Sequence, residues 1–188
     1  PRPKKGRPKL DVQAAVGGCA LTRGVVQGDE ALRLECGKQA YMLFPASGAD
    51  ATKLLEAFAE AQARAIGDLA ALEGLDAYEN ALTELPSSVS QLGSLKTLEL
   101  RSNKLARLPE AVGSLASLET LDLSGNQLTE LPAAIGSLTA LTELHASINQ
   151  LEELPAAIGS LTALRTLDVG NNQLKELPAA IGSLTALR

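Results

Sequence analysis

Apolar and polar positions follow the same order in five successive units between residue 69 and the end of the chain. Each unit reads L-x-x-L-x-L-x-x-N-x-L with conservative replacements, as in Leu118 to Leu128, and the units are 23 residues long. A fixed period of this length is typical of a solenoid of stacked coils. Asparagines and prolines mark the period. They are Asn80, Asn103, Asn126, Asn149 and Asn172, with Pro86, Pro109, Pro132, Pro155 and Pro178.

The L-x-L segment of each unit predicts a short strand, because side chains alternate between the two faces of a sheet. In one unit, Leu98 and Leu100 should point into the core while Glu99 points outward. The asparagine amide both donates and accepts, so it should satisfy buried backbone groups of its own and the adjacent coil. The proline should start a helical turn that directs a branched residue inward. Those inward residues are Val89, Val112, Ile135, Ile158 and Ile181.

One coil cannot bury enough apolar surface to offset its chain entropy, so the coils should stack in parallel. Stacking brings equivalent outward residues into columns with strands about 4.8 Å apart. A column of solvated charges needs no function, whereas a docking stripe would receive a basic segment of a partner. The residues between the two strand leucines form what we call the acidic column: Asp76, Glu99, Asp122, His145 and Asp168.

His145 is the only histidine of the chain. Carboxylates on both sides of it in the acidic column favour a protonated imidazole. The alternatives are therefore a pH-sensitive contact and an incidental surface histidine.

Two further outward columns follow the acidic one. The column next to the acidic one, which we call the second column, begins with Tyr and Arg, and both residue types are enriched at binding hot spots. Ile148 is an aliphatic residue where other units place polar or small ones, so it either packs beside Ala146 or offers an exposed apolar anchor. The second column is Tyr78, Arg101, Ser124, Ser147 and Gly170, and the turn column is Glu79, Ser102, Gly125, Ile148 and Asn171. The predicted partner-binding residues are Asp76, Tyr78, Glu99, Arg101, Asp122, His145, Ile148 and Asp168.

A different pattern precedes the repeats. Three short segments, 19–26, 30–36 and 39–44, are separated by turn residues and predict the strands of a β-meander. Apolar residues then recur at helical spacing from Asp50 to about Ala65. The predicted organisation is a disordered basic arm over 1–18, a small strand and helix cap over 19–68, and repeats over 69–188.

Charge is divided unevenly along the chain. Residues 1–10 contain five basic residues and no acid, whereas the rest contains 12 basic against 22 acidic residues. An acidic body favours cationic partners, and the basic arm is available to nucleic acid, anionic lipid or the body itself. The two cysteines, Cys19 and Cys36, lack zinc-site spacing and should be reduced and buried. No apolar run is long enough to span a membrane, and no signal peptide is evident.

The pattern over residues 69–188 resembles intracellular leucine-rich-repeat proteins of the Ras-suppressor, Scribble and plant Ras-group type. This resemblance implies an α/β solenoid with a short parallel sheet on its concave face, here preceded by the small β-meander and helix. It also implies a non-catalytic adaptor in signal transduction that needs no cofactor. Such a protein would bind another protein, such as a small GTPase or a phosphatase, in the cytoplasm, with the nucleus as the alternative location.

Two further resemblances concern the N-terminal region. Residues 31–62 resemble the second half of a pleckstrin-homology domain, although the tryptophan of that family's last helix is absent. Followed by repeats, this half-domain implies the alternative of a targeting fragment from a repeat-containing phosphatase. Gly6-Arg7-Pro8 resembles the centre of an AT-hook, with Lys5 where that family has arginine. This second alternative implies DNA attachment within residues 1–10, through Arg2, Lys5 and Arg7.

The sequence contains none of the phosphate-loop, H-E-x-x-H or G-x-S-x-G motifs, so it predicts no enzymatic activity and no metal site. The segment LPAAIGSLTAL occurs three times without change, which either recent duplication or consensus engineering would produce. Leu187 and Arg188 begin another block of the pattern. We therefore expect the natural protein to continue, or its last coil to be covered.

Overall fold

The computed structural model describes residues 39–41, 73–79 and 82–188, with backbone alone for 39–41. Its six strands form one parallel sheet in the order of the sequence. From the second strand onward each strand pairs with the one 23 residues later, so Leu98 lies beside Leu121 and Leu121 beside Leu144. The strands are β1 Gln39–Tyr41, β2 Gly74–Asp76, β3 Thr97–Glu99, β4 Thr120–Asp122, β5 Glu143–His145 and β6 Thr166–Asp168.

Each coil returns through a single turn of 3-10 helix on the side away from the sheet. The backbone N–H of Ile135 donates to the carbonyl oxygen of Pro132 at 3.0 Å, which is the three-residue spacing of this helix. The proline itself remains extended, with ψ of 151° at Pro132, and therefore precedes the helical turn instead of being its first residue. The turns are Ser87–Gln91, Glu110–Ser114, Ala133–Ser137, Ala156–Ser160 and Ala179–Ser183.

The core is a continuous stack of aliphatic side chains between the sheet and the helical turns. Leu98 and Leu100 of β3 and its end are fully buried, as the alternating pattern predicts, and Glu99 between them is only half-buried. Val112 and Ile135 approach this stack from the helical turns and are also fully buried. The predicted inward and outward residues are thus confirmed in these coils.

The asparagines form a hydrogen-bonded ladder through the core. The Asn126 side-chain N–H donates to the carbonyl oxygens of Leu123 in its own coil and Leu100 in the preceding one, at 2.9 Å each. Its Oδ1 accepts from the backbone N–H of Leu105 at 3.0 Å. Asn103, Asn149 and Asn172 make the equivalent contacts. The predicted structural role of these amides is confirmed.

Glycine in the helical turn lets successive coils approach closely. A Cβ on Gly136 would lie 2.6 Å from the carbonyl oxygen and 2.9 Å from the Cβ of Ala157 in the next coil. Gly113 and Gly159 meet Ala134 and Ala180 in the same way. Nothing lies within 4 Å of the equivalent position at Gly182. The glycine therefore fixes the spacing of coils that have a following neighbour.

The last coil is the least buried of the described coils. Leu167 and Ile181, whose equivalents in the preceding coil are fully buried, are here only partly buried. Leu177 and Leu187 are 54% and 40% exposed. The contribution of this coil to the core therefore comes mainly from its contacts with the preceding one.

The sheet reaches into the predicted N-terminal cap. Strand β1 lies within the third segment predicted there as a strand, and it pairs in parallel with β2, with Gln39 beside Gly74. These two strands are 35 positions apart instead of 23, so the repeat pattern does not predict their pairing. Several features predicted from the sequence lie outside the described residues. They are the basic arm with its candidate DNA contacts Arg2, Lys5 and Arg7, the other two strands and the helix of the cap, the pleckstrin-homology-like order, Cys19, Cys36 and Asn80.

Candidate protein-binding face

The acidic column is a continuous line of neighbouring side chains on the outer face of the sheet. Strand pairing places Asp76 beside Glu99, Glu99 beside Asp122, Asp122 beside His145 and His145 beside Asp168. The predicted alignment is therefore confirmed. Because neighbouring strands are about 4.8 Å apart, each charge on this column lies within interaction range of the next.

Each aspartate of the column also has a local structural role that sequence reasoning missed. The Oδ1 atom of Asp122 accepts a hydrogen bond from the backbone N–H of Ser124 at 2.8 Å. Asp76 accepts in the same way from Tyr78, and Asp168 from Gly170. Aspartate commonly closes a turn by bonding the backbone two residues ahead. Its position at the end of a strand, just before a turn, was the available signal.

The carboxylates of the column differ in electrostatic environment. Burial raises the pKa of Glu99 above its ordinary value, and the adjacent charges of Asp122 and Asp76 raise it further. The hydrogen bond from the Gly170 N–H lowers the pKa of Asp168, and a hydrogen bond from the Ser147 side chain and the charge of His145 lower it further. The column therefore has a strained negative charge at Glu99 and a well-stabilised one at Asp168.

His145 interrupts the negative charges of the column. Its Nε2 atom lies 3.8 Å from the Oε2 atom of Glu143, which precedes it by two residues on the same strand face. Asp122 and Asp168 flank it on the adjacent strands. The predicted environment of carboxylates is thus present, and the pH-sensitive contact stays a prediction.

The second column changes character along the solenoid. At its first end, the Arg101 guanidinium carbon lies 5.8 Å from the centre of the Tyr78 ring, within the range of a cation–π contact. The Tyr78 hydroxyl donates to the Glu79 carboxylate, and this bond is the main reason that the pKa of Tyr78 is raised. Further along, Ser147 donates to the Ser124 hydroxyl oxygen at 3.3 Å, and Gly170 has no side chain. Bulky side chains thus give way to small ones along this column.

The turn column has left-handed backbone in all five coils. Its φ angles lie between 53° and 67°, and the residues are Glu79, Ser102, Gly125, Ile148 and Asn171. Gly and Asn tolerate this conformation, whereas a β-branched residue such as Ile148 is an outlier. Ile148 is also 59% exposed. Of the two alternatives drawn from the sequence, the exposed aliphatic residue is therefore the one observed.

Other surfaces of the described repeats offer less for chemistry. A cleft of about 460 Å³ lies before the first two helical turns, lined by the Leu-Pro pairs of two coils together with Glu84, Ser87, Arg107 and Glu110. Within residues 73–79 and 82–188, no group of three or more His, Cys, Asp or Glu side chains is placed to hold a metal ion. Among the described helices, none is long and apolar enough to cross a membrane.

Comparison with known proteins is consistent with this architecture. Residues 91–151 match the model of a leucine-rich repeat region, and residues 139–181 match that of two copies of the leucine-rich repeat. No curated protein sequence matches the chain.

Two solved structures are similar to the chain over 64% of its length. A leucine-rich-repeat protein of Leptospira interrogans shares 38% identity with a TM-score of 0.63, and the match covers 31% of that protein. An internalin of Listeria monocytogenes shares 27% identity with a TM-score of 0.56, and 34% of it is covered. The chain thus spans about a third of the length of these two structures. With the stacked parallel strands and the asparagine ladder, these matches show that residues 91–181 are leucine-rich repeats.

Proposed function

We propose that the outer face of the sheet is a docking site for another protein, and that the acidic column receives a basic segment of that partner. The observation that carries this proposal is the unbroken side-by-side register from Asp76 to Asp168. Five side chains from five coils are presented on one face with a fixed spacing. A linear cationic segment can contact several of them at once.

The rigidity of the coils supports this proposal. The backbone N–H of Leu123 donates to the carbonyl oxygen of His145 at 2.7 Å, and Leu100 donates to Asp122 at 2.8 Å. Hydrogen bonds from Ser124 and Gly170 also hold two of the aspartate side chains in place. A preorganised surface loses little conformational entropy on binding, so more of the contact energy contributes to affinity.

The electrostatics of the column support a cationic partner in particular. The raised pKa of Glu99 reflects burial and repulsion from Asp122 and Asp76. A lysine or arginine placed over these carboxylates would reduce that repulsion and favour the charged form of Glu99. Complementary charge chiefly accelerates encounter and fixes the register, and salt screens it.

The family supports a role in protein–protein interaction, because leucine-rich repeats are interaction modules. The resemblance to Ras-suppressor and Scribble repeats makes a small GTPase or a phosphatase the first natural partners to test. Catalysis is not part of the proposal.

The test is binding of a labelled lysine-rich peptide to the full chain at low and at physiological salt. In the double variant Asp122→Asn with Asp168→Asn, the amide oxygens can still accept the turn hydrogen bonds while two charges are removed. The matched control is Glu130→Gln with Glu153→Gln, which removes two exposed carboxylates from the loops before the helical turns. We expect the first pair to weaken binding about tenfold and the control to leave it nearly unchanged. Equal effects of the two pairs would show only a response to net charge and would contradict the proposal.

A further inference from the structure

Ile148 is held in an unfavourable conformation by its neighbours. Its backbone N–H donates to the carbonyl oxygen of Gly170 at 2.9 Å, and the carbonyl oxygen of Ser147 accepts from Gly125 at 2.9 Å. The peptide group before Ile148 is therefore fixed to both adjacent coils. The Asn149 N–H fixes the peptide group after it by donating to the Asn171 carbonyl oxygen at 3.3 Å, and φ of Ile148 remains at 55°. The left-handed backbone is common to the equivalent position of every described coil, whereas an isoleucine side chain at this position does not stabilise it.

The surroundings of Ile148 leave its side chain available for contact. In the preceding coil the same position is Gly125, which has no side chain, and in the following coil it is the exposed polar Asn171. The adjacent second column consists of Ser124, Ser147 and Gly170 in these coils. An aliphatic group 59% exposed thus stands beside small side chains.

Carboxylates predominate on the strands that precede the turns around this aliphatic group, with His145 lying between Asp122 and Asp168. Strands β4 to β6 carry Asp122, Glu143 and Asp168 on their outer face, and they contain neither lysine nor arginine. Any occupant of this part of the sheet face that brings an apolar group to Ile148 also places its neighbouring residues over carboxylates. Cationic neighbours satisfy these carboxylates, whereas acidic ones would be repelled.

We propose that Ile148 is the apolar contact for a partner segment in which an aliphatic or aromatic side chain packs on Ile148 while adjacent lysine or arginine side chains face Asp122 and Asp168. This inference rests on the proposed function and gives it a partner chemistry and a location at β4 to β6. A purely cationic segment satisfies the column but leaves Ile148 in water. A purely apolar segment leaves the carboxylates unpaired.

The experiment is selection of displayed random peptides on the immobilised full chain, followed by affinity measurements with the purified peptides. We expect enriched peptides to combine an apolar residue with flanking Lys or Arg, and to bind Ile148→Asn about tenfold less tightly. Asparagine occupies the same turn position at residue 171, so this variant keeps the backbone geometry. The matched control is Ile148→Val, which keeps a β-branched aliphatic group at the same position and should leave affinity nearly unchanged.

The outcomes separate this inference from the proposed function. If selected peptides lose affinity with Asp122→Asn and Asp168→Asn but not with Ile148→Asn, the inference is wrong and the docking face stands. If neither set of variants changes affinity, or if no peptide is enriched, both are wrong. Light scattering over a range of protein concentrations checks a second copy of the chain as the occupant. A dimer that Ile148→Asn dissociates would replace the peptide-like partner.

Discussion

Asn126 in one coil accepts a hydrogen bond through its Oδ1 atom from the backbone N–H of Leu105, 21 residues earlier, at 3.0 Å. The same amide donates to two buried carbonyl oxygens. The buried Leu105 N–H thus depends on the side chain of the next coil, whereas the Leu100 and Leu123 carbonyl oxygens are each shared by two asparagines of successive coils. This dependence makes the ladder a test of how the coils are held together.

Replacement of this amide should be costly in the middle of the solenoid. In Asn126→Ala the buried Leu105 N–H loses its bond and the Leu100 and Leu123 carbonyl oxygens each lose one of two, so we expect the free energy of unfolding to fall by about 1 to 3 kcal/mol. Urea unfolding followed by circular dichroism measures the change. Asn172→Ala is the control, because Asn172 is only partly buried and water can replace its bonds. A loss at Asn172 as large as that at Asn126 would contradict the argument from burial.

The glycines of the helical turns offer a second comparison. Gly136→Ala would place a methyl group 2.6 Å from the Ala157 carbonyl oxygen, so coils must separate. We expect a loss of about 1 to 3 kcal/mol. Gly182→Ala meets nothing within 4 Å and should be neutral or stabilising by up to about 1 kcal/mol. Thermal unfolding of the two variants decides the matter, and equal effects would show that intercoil contact is not the cause.

Ile148 should be a residue whose removal stabilises the chain. Left-handed backbone costs a β-branched residue about 1 to 2 kcal/mol relative to glycine, and the exposed side chain gains little by burial. We therefore expect Ile148→Asn to raise the free energy of unfolding by about 1 kcal/mol. Ile148→Val keeps the branched Cβ and should leave stability unchanged. Destabilisation by Ile148→Asn in chemical denaturation would mean that the side chain contributes packing.

Glu99 and Asp168 should affect stability with opposite pH dependence. Folding raises the pKa of Glu99 above its ordinary value of 4.5. As pH rises from 4.5 to the pKa of the folded state, the unfolded chain releases this proton first, so the stability of the fold falls. Glu99→Gln should therefore be more stable than the parent near neutral pH, with the difference vanishing below pH 4.5.

The pKa of Asp168 is lowered below 3.8, so its contribution is present above that value and is lost as pH falls through the folded pKa. Asp168→Asn should therefore lose stability relative to the parent at neutral pH and converge with it in acid. Thermal melts of both variants over a pH series give the two slopes. Slopes of the same sign would contradict the assignment of the shifts.

The sequence predicts the geometry of the sheet face because one period governs strand, turn and core together. Once Asn103 and Asn126 are placed 23 residues apart, the alignment of Glu99 with Asp122 follows without further information. The burial of Leu98 and the contacts of the asparagine amides follow from the same pattern. These features depend on local order and stacking, which repeat sequences encode strongly.

Other features depend on relations that the period does not contain. The pairing of Gln39 with Gly74 joins segments of unlike sequence at a spacing of 35 residues. Gly125 and Asn171 tolerate positive φ and are compatible with a left-handed turn column. Ile148 at the same position rarely adopts positive φ, so the sequence does not predict this conformation for all coils. The close approach at Gly136 depends on distances between coils, and no linear pattern specifies those.

Because the register is unchanged from β2 to β6, the length of the sheet face changes only by whole strands. Because residues 131–141 and 154–164 are identical, loss or gain of one whole unit leaves the local sequence at the junction unaltered. Recombination between these two segments would therefore remove or duplicate β5 together with His145 and Ile148, and would shorten or lengthen the face by one strand spacing of about 4.8 Å. Selection could match the length of the face to a ligand by adding or removing coils, without redesigning a single contact.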